Sequence, residues 1–328
     1  MKPRVSFLPW PKRKTLSNRL RPDKYRRLNI PYVDGMISHW EQHALACFAQ
    51  HIWEHGAANN ALIIDAGCYL GSSTVSLAEG LRNSPLPEPI RRERIWSYDL
   101  FRTTRQMSHY YLKERGLRTG DTFRPIFEKN IAAYRHYVRV QSGDILKAPI
   151  PLQPVSILFL DILWSWDTTS FIGHNYYPLL EPGRSLLIHQ DFVYPFYPWV
   201  ILSMGLLRES LVFAYNVQYS SVVFDVKRKL HSRDIHDPRN IPLPQALQIY
   251  DEFIDRVSGW AKGSLALGKA MYLASLNRLS DARTIIDNVA LKFANESLVT
   301  QYLDSVRKYC DKAEATGEPT PLEEAVGI

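Results

Sequence analysis

Residues 63–74 read Ile63-Ile64-Asp65-Ala66-Gly67-Cys68-Tyr69-Leu70-Gly71-Ser72-Ser73-Thr74. The apolar run from Ala61 to Ile64 suits a short buried strand, and it ends at Asp65 in a glycine-bearing turn. From Ser72 to Leu81 the pattern becomes helical, so the stretch is strand, tight loop, helix. Gly67 and Gly71 carry no side chain, which lets the backbone lie close to a ligand. The helix opens at Ser72 or Ser73, where free backbone N–H groups suit a carboxylate. The dinucleotide fingerprint G-x-G-x-x-G is absent, because Tyr69 stands where its second glycine would be.

The same alternation continues downstream. Arg94 to Tyr98, Tyr137 to Gln141, Val155 to Leu160 and Ser185 to Ile188 read as further strands, with helical or loop segments between them. Residues 102–136 read as helical with a loop near Gly116 to Thr122, and Thr168 to Leu180 and Tyr197 to Leu207 as helices. Leu211 to Val217 and Ser220 to Val226 read as a closing hairpin. The expected fold is α/β: a Rossmann-like, mostly parallel seven-stranded sheet with an antiparallel edge hairpin. Upstream, Met36, Trp40, Ala44, Phe48 and Ile52 give one apolar face to a helix over Asp34 to His55. Beyond Pro242 helical spacing dominates, with breaks at Gly263 and Asn277 and an N-cap at Ser280, as in a pair of helical hairpins. The expected division is a basic arm over 1–33, a sheet domain over 34–230 and a helical region over 231–328.

Composition narrows the class. The chain has 328 residues, 45% hydrophobic and 22% charged, which predicts a packed globular core. Its formal net charge is +7, with much of the excess near the start. Lys2, Arg4, Lys12, Arg13, Lys14, Arg19, Arg21, Lys24, Arg26 and Arg27 face only Asp23. This arm suits a solvated tail, or contact with an anionic partner or a membrane surface. Cys47, Cys68 and Cys310 have no metal-ligand spacing, and an odd number of cysteines fits a reducing compartment. Without a secretory pattern or a membrane span, the expected location is cytoplasmic. Self-association is left open.

In an open α/β sheet, ligands bind at the carboxyl ends of the strands. Asp99 ends the second strand and suits the ribose hydroxyls of a nucleoside. Gly143 and Asp144 follow the third strand and could border its base. Asp161 and Asp191 end the fourth and fifth strands and suit proton transfer or a hard divalent cation. His189, two residues before Asp191, is a candidate general base expected on the same face, with Gln190 on the other. Trp164 to Asp167 and Phe192 to Trp199 supply aromatic side chains beside these strand ends, suited to a sugar ring or to packing. His109, Tyr110 and Tyr111 could form a lid.

Together, Asp65 to Thr74, Tyr98-Asp99-Leu100-Phe101, Phe159-Leu160-Asp161 and Leu187-Ile188-His189-Gln190-Asp191-Phe192 resemble the class I methyltransferases of the macrocin O-methyltransferase and cephalosporin-hydroxylase-like group, over residues 35–226. The resemblance implies S-adenosylmethionine as methyl donor, held by Asp65, Gly67, Tyr69, Gly71, Ser72, Ser73, Thr74, Asp99, Gly143, Asp144 and Asp161. It implies a hydroxyl acceptor on a glycan or small metabolite, attacked in line, with His189 or Asp191 as base and Asp161 orienting the acceptor. It also implies Mg2+ held at Asp161, Gln190 and Asp191, although Gln190 replaces the acidic first member of the expected pair. Two rivals are a non-catalytic scaffold on the same fold and a nucleic-acid methyltransferase. The second is disfavoured, because the sequence carries no amino-methylation motif and no RNA-binding module.

Overall fold

The computed structural model describes residues 15–217, 220–317 and 321–322. Seven strands form one sheet: β1 (Leu62–Ala66), β2 (Ile95–Asp99), β3 (Val138–Ser142), β4 (Val155–Leu160), β5 (Leu186–His189), β6 (Leu211–Asn216) and β7 (Val222–Val226). Their order is β3-β2-β1-β4-β5-β7-β6. All pairs are parallel except β5–β7 and β6–β7. This is the expected Rossmann-like sheet with its antiparallel edge. Chain order reverses between β1 and β4, and the switch point lies at their carboxyl ends.

Helices α1 (Leu16–Arg19), α2 (His39–His51), α3 (Ser72–Arg82), α4 (Glu88–Arg91), α5 (Arg124–Asn130), α6 (Trp166–Asn175), α7 (Pro198–Leu206), α8 (Leu243–Ile254), α9 (Trp260–Ser275), α10 (Leu279–Lys292) and α11 (Ser297–Thr316) surround it. The central strands β1, β4 and β5 are buried on both faces, which is why β4 reads as six apolar or small residues without alternation. On one face Ile63, Ile157, Phe159 and Ile188 pack with α2, α3 and α5. On the other, Ile64, Leu158, Leu160 and Leu187 share a continuous core with α7, α8, α9 and α11. The helical region expected at 231–328 is therefore built onto the sheet rather than beside it. Gly205 of α7 lies against Ile249 of α8, leaving no room for a Cβ.

Several local expectations are corrected. The first long helix begins at His39, not Asp34, because Ser38 and Glu41 form a capping box there. Residues 102–136 contain a π-helical turn at Met107–Tyr111 and little α-helix until α5. Gly116 and Gly120, both at positive φ, interrupt this stretch. Gly263 lies inside α9 instead of breaking it: a Cβ there would come within 3.0 Å of Phe293 and Val299, so the glycine serves packing. Asn277 does break the chain, at φ 57. Ser280 is not an N-cap, since α10 starts one residue before it, behind Arg278.

Part of the stretch read as a basic arm is folded. Leu16 and Leu20 are buried with α2, and Ser17 donates its backbone N–H (2.8 Å) and its hydroxyl to the carboxylate of Asp225 on β7. Lys2, Arg4, Lys12, Arg13 and Lys14 lie outside the described residues. Among the described residues, no helix is long and apolar enough to cross a membrane.

The tightest contact between helices on the first face is α2 against α3. A Cβ at Gly80 would collide with the carbonyl of Ala46. Gly80→Ala should therefore destabilise the protein by about 1–3 kcal/mol. Urea unfolding checks this, and a loss smaller than about 0.5 kcal/mol would contradict the close approach.

Candidate functional site

The carboxyl edge of the sheet carries a crevice of about 200 Å³ over β1, β2 and β3. Six of the eleven residues assigned from sequence to the cofactor border it: Gly67, Tyr69, Asp99, Gly143, Asp144 and Asp161. Tyr69 and Gly67 sit at positive φ, 45° and 94°, which turns the chain sharply off β1. Asp99 secures that turn. One of its oxygens accepts from the Tyr69 N–H (2.8 Å) and the other from the Phe101 N–H (2.7 Å). Burial raises the Asp99 carboxyl above its ordinary value, and these two N–H groups oppose the shift. Each carboxylate oxygen has a second lone pair, so Asp99 can still accept from hydroxyls in the crevice. Asp144 accepts from the Leu146 N–H at 3.0 Å, and bare Gly143 leaves the wall open.

The remaining residues of the first loop have structural partners instead. Asp65 is fully buried and does not border the crevice. Its Oδ2 accepts from the hydroxyls of Thr74 and Ser73 (the latter at 3.1 Å), which clamps the start of α3 to β1. Its Oδ1 has no partner. Ser72 accepts from Gln42 of α2 at 2.8 Å. Gly71 is bare because Phe127 and Ile131 stand 3.2 Å from where its Cβ would be. Side chains at positions 65 and 71–74 thus shape the loop from behind.

A second, larger chamber of about 840 Å³ opens beside the crevice. Asp161, Gln190 and Asp191 line it from β4 and β5, and Asp161 and Met36 border both spaces. Tyr194, from the loop after β5, and Tyr302, from α11, meet edge to face at 5.4 Å on its wall. Trp40, Tyr111 and Trp260 complete the aromatic lining. Burial above all holds the Asp161 and Asp191 carboxyls above the ordinary carboxylate range; the charges of Asp191 and Glu41 add to it at Asp161, and that of Glu41 at Asp191, where a hydrogen bond from Ser220 opposes it. Glu41 is itself buried and accepts from Ser221 at 2.5 Å.

His189 is not brought to this chamber. It is 1% exposed, its Nε2 lies 3.3 Å from the Tyr177 hydroxyl, and Phe224 packs edge-on to it. Burial drives its pKa down to about 3, so the ring is neutral. The expected pairing of His189 and Asp191 on one face fails because β5 ends at His189 and a turn follows. Strand alternation stops there, and Gln190 and Asp191 both reach the chamber. Its general-base role is therefore withdrawn. Among the described residues, no three acidic, histidine or cysteine side chains converge as a metal-ligand cluster. Burial also favours the neutral forms of the Asp161 and Asp191 carboxyls, which weakens them as cation ligands, so no step is routed through a metal.

Sequence reasoning missed several of these walls. Met36 and Trp40 were read as a helix's core face, yet Met36 precedes α2 and is 47% exposed. Tyr302 gave no local signal, and the places of Arg27 and Glu41 at or beside the chamber depend on tertiary packing.

No family model matches the chain, and no curated protein matches it. Two solved structures are similar. The apo form of CalS11, a TDP-rhamnose 3'-O-methyltransferase of calicheamicin biosynthesis, is 13% identical over 56% of this chain and 78% of its own, with a TM-score of 0.41. The 23S rRNA methyltransferase ErmE is 12% identical over 75% of this chain and 90% of its own, with a TM-score of 0.32.

The Asp65 clamp has a pH signature. Burial raises its pKa to about 6, despite the two hydroxyl donors. The folded state thus holds the proton more tightly than the unfolded chain. The stability contributed by this group is full below the unfolded value near 3.8 and is lost as pH rises through about 6. Relative to Asp65→Asn, the wild type should lose stability across that window by up to about 1.4 kcal/mol per pH unit. Urea unfolding of both proteins at several pH values measures it; a constant difference would refute the assignment.

Proposed function

We propose that this chain is an S-adenosylmethionine-dependent methyltransferase acting on a hydroxyl of a glycan or small metabolite. The observation that carries the reading is the meeting of two spaces at Asp161: a crevice at the sheet's switch point and an aromatic chamber floored by carboxyls. A group-transfer reaction needs two ligands end to end, and this arrangement supplies the junction.

The donor set fits the cofactor. Asp99 is suited to the ribose hydroxyls and Asp144 to an exocyclic amine. Gly67 borders the crevice with its backbone, and the turn at Tyr69 carries the chain off the tip of β1. Bound S-adenosylmethionine would supply a sulfonium methyl as electrophile. In the chamber, Asp161 and Asp191 are the groups placed to orient the acceptor hydroxyl and to take its proton on a carboxylate oxygen. Their raised affinity for protons makes them better bases than ordinary carboxylates. The aromatic walls exclude water and present flat faces to an acceptor ring.

The scaffold reading drew on the added helices. Trp260, Leu298 and Tyr302 bring those helices into the wall of the chamber, which favours a role in ligand binding over a separate assembly module.

Calorimetry should detect S-adenosylhomocysteine binding in the micromolar range, and absence of binding at millimolar ligand would end the proposal. Asp99→Ala should weaken that binding about tenfold or more, the cost of losing charge-assisted hydrogen bonds. Asp161→Asn should leave S-adenosylhomocysteine affinity within a few-fold of wild type, as the proposed ribose contacts are untouched. A large loss there would move Asp161 from the acceptor side to the cofactor side.

A further inference from the structure

The chamber is charged unevenly. Asp161 and Asp191 stand at the strand tips, and Arg27 stands on the N-terminal segment that forms another part of the wall. The Arg27 guanidinium lies 3.8 Å from the centroid of the Trp40 ring. Stacking of this kind fixes the plane of the cation and leaves its N–H edges outward.

The neighbouring acids are already engaged. Asp23 is held by Arg21 through two hydrogen bonds of 2.9 and 2.6 Å. Asp34 pairs with Arg115 and accepts from the Tyr32 hydroxyl. Arg27 is left with no carboxylate partner among the described residues. His39 lines the same wall; its Nδ1 lies 3.3 Å from the Gln42 side-chain oxygen, and its Nε2 donates to an anion when the ring carries both protons.

We infer that Arg27, stacked on Trp40 and seconded by His39, forms an anion subsite, so that the acceptor is a hydroxyl-bearing molecule carrying a phosphate group. The inference rests on the reading of the chamber as the acceptor site. Charge sorting sets the ligand's direction. A phosphate is attracted to the guanidinium, which leaves the hydroxyl-rich end of the ligand for Asp161, Asp191 and Gln190. At about 840 Å³ the chamber has room for both ends of such a ligand at once. The planar fork of arginine matches phosphate oxygens two at a time.

The test is calorimetric titration of the full chain with pyrophosphate, glucose 1-phosphate and glucose, with and without saturating S-adenosylhomocysteine. The two phosphate probes should bind, more weakly as salt rises, and glucose should not. Arg27→Ala should weaken both by about tenfold or more, as expected for the loss of a charge-assisted pair. Arg27→Lys should recover only part of that loss, because a point charge replaces the fork. All variants should keep wild-type affinity for S-adenosylhomocysteine. Phosphate binding that is absent, or unchanged in Arg27→Ala, would overturn the subsite while leaving the methyltransferase proposal standing. Failure of S-adenosylhomocysteine to bind would strike that proposal alone, since the phosphate titrations on the free chain still report on Arg27.

Discussion

The tips of β1 and β4 approach so closely that residue 67 has no room for a side chain: a Cβ there would collide with the carbonyl of Asp161. Much of the candidate site follows from this contact. The Asp161 N–H donates to the Ala66 carbonyl at 2.8 Å and the Gly67 N–H to the Tyr98 carbonyl at 2.9 Å. The last rungs of three adjacent strands are thereby locked just where the chain must leave the sheet. The turn at Tyr69 and the clamp from Asp65 to α3 then carry the chain away from the edge. What remains open is the crevice. Because Asp161 is the residue pressed against Gly67, its side chain falls at the boundary between the crevice and the chamber.

The sheet was legible in the sequence because its strands are central and parallel. Burial on both faces yields runs such as Val155 to Leu160, and turn residues mark where each run stops. The acidic residues at strand ends were legible for the same reason: Asp99, Asp161 and Asp191 each follow an apolar run. The distinction between a carboxylate facing a cavity and one clamping a loop was not legible. Asp65 and Asp99 look alike in sequence, yet Asp65 is enclosed by Ser73 and Thr74 whereas Asp99 faces the crevice. His189 misled for a related reason. The alternation rule holds only while the strand lasts, and β5 ends at that residue.

The larger chamber was the least legible part, since it is assembled from distant segments. Residues near 27–42, the tips of β4 and β5, and α11 near 302 meet there. No periodicity within any one segment announces that meeting. Trp40 and Met36 satisfied a helical pattern equally well as core residues, and only the capping box at Ser38 and Glu41 set the true start of α2. That box was readable as S-x-x-E, and reading it would have left Met36 outside the helix.

The same N-terminal segment is fastened to the far end of the sheet. Ser17 satisfies Asp225, and Glu41 satisfies Ser221, across more than half of the chain. During synthesis these partners emerge in the wrong order for early closure. Residues 15–41 leave the ribosome long before β7 exists, so the Ser17–Asp225 and Glu41–Ser221 contacts form only after most of the chain has been made. Completion of these contacts is a late event that closes a very long loop.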